Sequence, residues 1–155
     1  FPDIDQNTGL LLHRSVVTHG PLIPFLVAGF AFGTRTFQFR WFALGLSVGF
    51  ALHLCFDLFP NGWSGFALIS VLGFGWTPTW FSMIWIATSI VLCTYIAIRL
   101  VRSGLDSLVL TVTLIGGFGY MTVEEGMIWK PLIAIAIACL ISLALVARRV
   151  LSDDE

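Results

Sequence analysis

The stretch "WFALGLSVGFALHLCFDLFP", Trp41–Pro60, decides the fold class. A helix that crosses the hydrocarbon core of a bilayer needs about 20 mostly apolar residues, and this run supplies them, with His53 and Asp57 as its strongly polar side chains. Those two are four apart, so they project from one helix face about one turn from each other. An aspartate costs about 3 kcal/mol near the bilayer centre on insertion scales, and ionisable groups inside spans face a bundle interior with a partner. The stretch therefore reads as a transmembrane helix that carries a polar pair toward something else in the chain.

The rest of the chain agrees. Of 155 residues, 57% are hydrophobic and 11% charged, against about 25% charged in soluble domains. Besides Trp41–Phe59, four further segments are long and apolar enough to cross: Ser15–Gly33, Thr79–Ile98, Ser107–Val123 and Pro131–Ala147. Between the second and third lies "NGWSGFALISVLGFGWTP", whose apolar part, Phe66–Gly75, is too short. It is expected to be interfacial or re-entrant. The predicted fold is an all-α, polytopic transmembrane helical bundle of about five spans, one membrane-embedded domain over 1–155. Within it, 1–14 is a polar motif segment, 15–147 the bundle and 148–155 a tail. A formal net charge of −1 gives no basic surplus for phosphate backbones, so the expected partner is the lipid bilayer and not nucleic acid. Cys55, Cys93 and Cys139 lie far apart inside apolar runs and read as small buried hydrophobes. The chain begins "FPDIDQ", with neither an initiator methionine nor a signal-peptide pattern, from which an upstream segment is expected to be missing.

Orientation follows from Lys and Arg, since positive loops stay cytoplasmic. Arg35 and Arg40, Arg99 and Arg102, and Arg148 and Arg149 fall on one side of a five-span topology, against Arg14 and Lys130 on the other. The N-terminus is expected outside and the C-terminus in the cytoplasm, in a prokaryotic inner membrane. Trp63, Trp76, Trp80 and Trp129 then sit at the outer interface. Gly29/Gly33 and Gly45/Gly49 are GxxxG pairs, which would let spans one and two approach closely in their cytoplasmic halves. Gly116, Gly117 and Gly119 in span four would allow close packing or a local break.

This topology makes the polar residues converge. At a rise of about 1.5 Å per residue, His19 lies about 6 Å inside span one, while His53 and Asp57 lie about 9 Å and 3 Å from the same end of span two. Asp3, Asp5, His13 and Arg14 immediately precede span one, on that same side. Histidine nitrogens and carboxylate oxygens are the ligands zinc and similar divalent ions accept, and a catalytic site keeps one position open for water. Arg14 could hold an anionic substrate group or orient a carboxylate.

Taken together, "PDID" (Pro2–Asp5), "HR…TH" (His13, Arg14, Thr18, His19) and "HLCFD" (His53–Asp57) followed by Pro60 resemble the integral-membrane proteins described as YdjM-like metal-dependent hydrolases. The resemblance covers about 60 residues. It implies that Asp3, Asp5, His13, His19, His53 and Asp57 form the polar set of a metal-dependent hydrolase. His13, His19, His53 and Asp57 would be ligands of a divalent ion, zinc first among them. Asp3 or Asp5 would be a further ligand or general base, and Arg14 would bind substrate or transition-state charge. The substrate would be an ester or phosphoester, lipid-like in character.

Each residue also has a plainer reading. His53 and Asp57 could be a structural intramembrane hydrogen bond. Asp3 and Asp5 could form a turn, or Asp5 a helix cap. His13 and His19 could sit at headgroup level. At the level of the protein, the alternative is a non-catalytic accessory subunit of a larger membrane assembly. It is suggested by the small size, by Gln6 and Gly20 where the family pattern differs, and by the Phe/Trp-rich faces. A transporter is disfavoured, since the polar residues cluster at one end and no inverted repeat is visible.

Overall fold

The computed structural model describes residues 15–34, 36–59, 68–126 and 128–153, with side chains described through Arg148. Among them are five helices: α1 (Leu22–Gly33), α2 (Phe37–Asp57), α3 (Thr79–Leu100), α4 (Gly104–Glu125) and α5 (Trp129–Asp153). Four of these, α2 to α5, are long and apolar enough to span a membrane, so the protein is an all-α membrane bundle. The helix α2 is its axis and packs against each of the other four. That position explains why α2 is apolar on nearly every face: Leu44, Phe50, Leu52, Leu54 and Cys55 are all buried. From α3, Ile86, Ile90, Cys93 and Leu100 complete the core. Cys55 and Cys93 are buried free thiols, as expected of small hydrophobes, and Cys139 is half-buried.

The boundaries follow local chemistry. The helix α1 begins at Leu22, not Ser15. Proline disfavours helical backbone in the residue before it, and Pro21 marks the start, with Pro24 in the first turn where its missing N–H is harmless. At about 18 Å, α1 is shorter than the hydrocarbon core. The residues ahead of it, Ser15–Gly20, form a turn. The helix α4 opens on a reciprocal cap, Ser103 Oγ accepting from the Asp106 N–H while donating to Asp106 Oδ2. It closes on Gly126 at φ 64°, the left-handed stop that glycine adopts without strain. The helix α5 continues through Asp153, so the segment after Arg148 begins as helix.

Between α2 and α3, the described residues 68–78 include a small antiparallel hairpin, β1 (Ser70–Val71) with β2 (Gly75–Trp76). Gly73 and Gly75 supply the positive φ its turn requires. Phe74, at the tip, is 90% exposed. The base of the hairpin is fixed to α3: the Ile69 N–H donates to Ser82 Oγ, and the Thr77 N–H and hydroxyl both donate to the Ile69 carbonyl.

The paired glycines do not bring α1 and α2 together. A methyl group added at Gly29, Gly33 or Gly49 would meet nothing within 4 Å, and at Gly45 only Thr113 Oγ1 at 4.0 Å. In this bundle Gly29, Gly45 and Gly49 line grooves and Gly33 is exposed, and the buried small residues of α1 are Ala28 and Ala31. Close approach occurs at Gly117, where a Cβ would come within 2.8 Å of Leu52 Cδ1; α4 remains an unbroken helix there.

Two ends of the bundle are fixed by contacts. At one, Arg40 pairs with Asp106 and Arg102 lies over the Phe32 ring. At the other, Lys130 lies over the Phe59 ring and Trp85 reaches the turn that precedes α1. This second end carries the candidate site, with Trp76, Trp80 and Trp129 exposed around it.

Candidate metal centre

Asp57 is the last residue of α2, His53 stands one turn before it, and His19 comes from the Ser15–Gly20 turn. Three ligand-type atoms meet there. His19 Nε2 and Asp57 Oδ2 are 3.4 Å apart, His53 Nε2 and Asp57 Oδ2 3.2 Å, and the two Nε2 atoms 3.4 Å. Together these residues form a group that could hold a metal ion. Two ligands each about 2.0–2.1 Å from zinc, at a tetrahedral angle, stand about 3.3–3.4 Å from each other. All three edges of the triangle lie close to that length.

Hydrogen bonding within the triangle has a limit. A ring nitrogen carries either one hydrogen or one lone pair. If both histidines donate to Asp57 Oδ2, the two N–H groups face each other across the third edge. If one histidine donates to the other, a lone pair faces the carboxylate. Separate hydrogens can therefore fill two edges, whereas a cation at the centre is attractive to all three atoms.

The support around His19 is extensive. The turn is held by the His19 N–H donating to the Ser15 carbonyl at 2.8 Å, and by the Thr18 N–H donating to Ser15 Oγ at 3.2 Å. Thr18 Oγ1 is 3.0 Å from Ser15 Oγ and 3.2 Å from His19 Nδ1. That second contact leaves Nε2 as the nitrogen presented to the cluster. From outside the turn, the Val16 N–H donates to the Ser70 carbonyl, and Ser15 bridges Ser70 in parallel, so the hairpin pins the segment. Trp85 Nε1 donates to the His19 carbonyl at 2.9 Å. The fit there is tight: a Cβ on Gly20 would lie 2.6 Å from the Val16 carbonyl oxygen and 2.8 Å from Trp85 Cζ2. His19 is fully buried, Asp57 nearly so, and the His53 side chain is 16% exposed.

Three of the residues anticipated from sequence thus come together, although His19 arrives on a turn and not on a helical rise. Asp3, Asp5, His13 and Arg14 lie outside the described residues, as does Trp63. The supporting group of Ser15, Ser70, Ser82 and Trp85 was not anticipated. Trp85 carried the clearest signal, because an indole N–H in an apolar span needs a partner. Comparison with protein-family models, curated proteins and solved structures finds no match.

Proposed function

We propose that the protein is a membrane-embedded metal-dependent hydrolase whose divalent ion, zinc first among candidates, is held by His19 Nε2, His53 Nε2 and Asp57. The observation that carries this reading is the triangle of donor atoms with edges of 3.2–3.4 Å, which fits three ligands of one tetrahedral ion. When bound, such an ion lowers the pKa of a coordinated water and polarises a carbonyl or phosphoryl oxygen. The chain's own part is to hold the two imidazoles and the carboxylate in register. Thr18 fixes the His19 ring, and the i, i+4 spacing on α2 fixes His53 against Asp57. His13 is proposed as a further ligand, Asp3 or Asp5 as general base, and Arg14 as the group that meets substrate charge. The family resemblance of the three motifs supports these roles, and an ester or phosphoester of lipid-like character is the proposed substrate.

The bundle end that carries Arg40, Arg99 and Arg102 is proposed to face the cytoplasm of a prokaryotic inner membrane, which sets the metal centre at the opposite face. A second reading, a non-catalytic subunit of a larger membrane complex, draws on α4, whose span is only 6% buried within the chain. Elemental mass spectrometry of the full-length protein, purified without chelator, separates the two. The hydrolase reading expects near-stoichiometric metal in wild type, its loss in His53→Ala and Asp57→Ala, and parallel loss of activity against a panel of carboxylic and phosphate esters. Metal-free wild type would sink it; co-purification of other membrane proteins at fixed stoichiometry would favour the subunit.

A further inference from the structure

A groove of about 340 Å³ runs between α2 and α4 and ends at His53. Phe42 and Tyr120 line it, Gly45 and Gly49 leave its α2 side without side chains, and Gly117 packs on Leu52 at its far end. At Gly49 the space above the backbone is open for at least 4 Å. From Phe42 to His53 the groove follows α2 for about 16 Å, parallel to the helix axis and so to the chains of surrounding lipids. From α4 come Gly117, Tyr120 and Met121, near the His53 end, and the exposure of Phe42 and Tyr120 shows that the groove opens at the side of the bundle. His53 is the one member of the metal triangle that lines it and the most exposed of the three.

We propose that the groove between α2 and α4 receives the hydrocarbon chain of a lipid ester or phosphoester laterally from the bilayer and sets its polar linkage against His53. This rests on the hydrolase reading and adds to it the route and the part of the substrate that is recognised. A mainly apolar groove with an imidazole of the candidate centre at one end matches an amphiphile, apolar along its length and polar at one end. A partner's transmembrane helix on the Gly45/Gly49 stripe would instead cover His53, and it is the competing occupant to exclude.

The test uses the full-length protein in phosphatidylcholine vesicles containing a trace of phosphatidylcholine with a diazirine midway along one acyl chain. Photo-crosslinked residues are mapped by peptide mass spectrometry, and metal content is measured on the same samples. The expected label falls on Phe42–His53 and on Gly117–Met121, severalfold above the exposed α4 residues Leu108, Val112 and Ile115. It should drop severalfold in Gly49→Leu with metal content unchanged. Gly49→Ala, which fills less of the groove, should give an intermediate loss should the leucine variant fail to fold. Gly29→Leu, in a different groove, should leave the label as in wild type. Label spread evenly over the exposed helices, label undiminished by both Gly49 substitutions, or crosslinks running to a second polypeptide across the groove would each overturn the proposal. Wild type without metal but with groove labelling would remove the hydrolase reading and leave the lipid seat standing.

Discussion

The hydroxyl of Thr18 settles which nitrogen of His19 faces the cluster, through its 3.2 Å contact with Nδ1. Thr18→Val is expected to weaken metal affinity about 10–100-fold, the usual cost of losing a partner that orients a ligand. Thr18→Ser should retain most of it; competition with a chromophoric chelator measures both, and equal affinities would remove this role. Gly20 is under a different constraint. With a backbone oxygen 2.6 Å from where a Cβ would stand, Gly20→Ala must shift the turn, at a cost of about 1–3 kcal/mol. Lower thermal stability together with reduced metal content is the expected outcome. Of these residues, sequence reading reached His53 and Asp57 because two polar groups four apart stand out in an apolar run. It reached His19 by topology. It did not reach Trp85, because the acceptor is a main-chain carbonyl 66 positions away, and no local pattern encodes such a contact.

Among the helices, α2 and α4 are joined at the end away from the candidate metal centre by Asp106. Its fully buried carboxylate accepts from Arg40 Nε and Nη2, Trp41 Nε1, the Arg102 N–H and Ser103 Oγ. Removing one member of such a group strands the others. Asp106→Ala is expected to destabilise the bundle by about 3–5 kcal/mol, read by thermal unfolding in detergent, while the folded fraction keeps its metal. Loss of metal from that fraction would mean the two ends are coupled. The spans themselves were readable from length and hydropathy, with α2 starting at Phe37, earlier than expected, so that Arg40 lies within the helix and pairs with Asp106. The first helix was overextended, since apolar composition continues back to Ser15 while Pro21 and the Ser15 turn end the helix at Leu22. The Phe66–Gly75 run was recognised as unable to cross. Its hairpin rests on positive φ at Gly73 and Gly75, which a glycine permits without announcing. The GxxxG pairs identify small residues, not the face that turns inward, and here that face lines grooves.

At the scale of the whole molecule, the proposed ion would act as a bond between segments 34 and 38 residues apart, His19 to His53 and His19 to Asp57. A ligand bound by the folded state alone stabilises it by about 2.7 kcal/mol at 100 times its Kd. Wild type loaded with zinc should therefore lose several degrees of Tm on addition of chelator, whereas His53→Ala should lose none; equal shifts in both would place the stabilising ion elsewhere. The hairpin that pins the His19 turn also bears on how the protein is made. All the candidate ligands are synthesised by residue 57, yet Ser70, which anchors the turn, and Trp85, which braces it, follow only after α2 is complete. A nascent chain that has finished its first two helices thus holds His19, His53 and Asp57, and Thr18 beside the His19 ring, but lacks the two groups from outside that hold the His19 turn in place. Were the proposed ion to bind there, the order of translation itself would delay a fully braced site until α3 has been made.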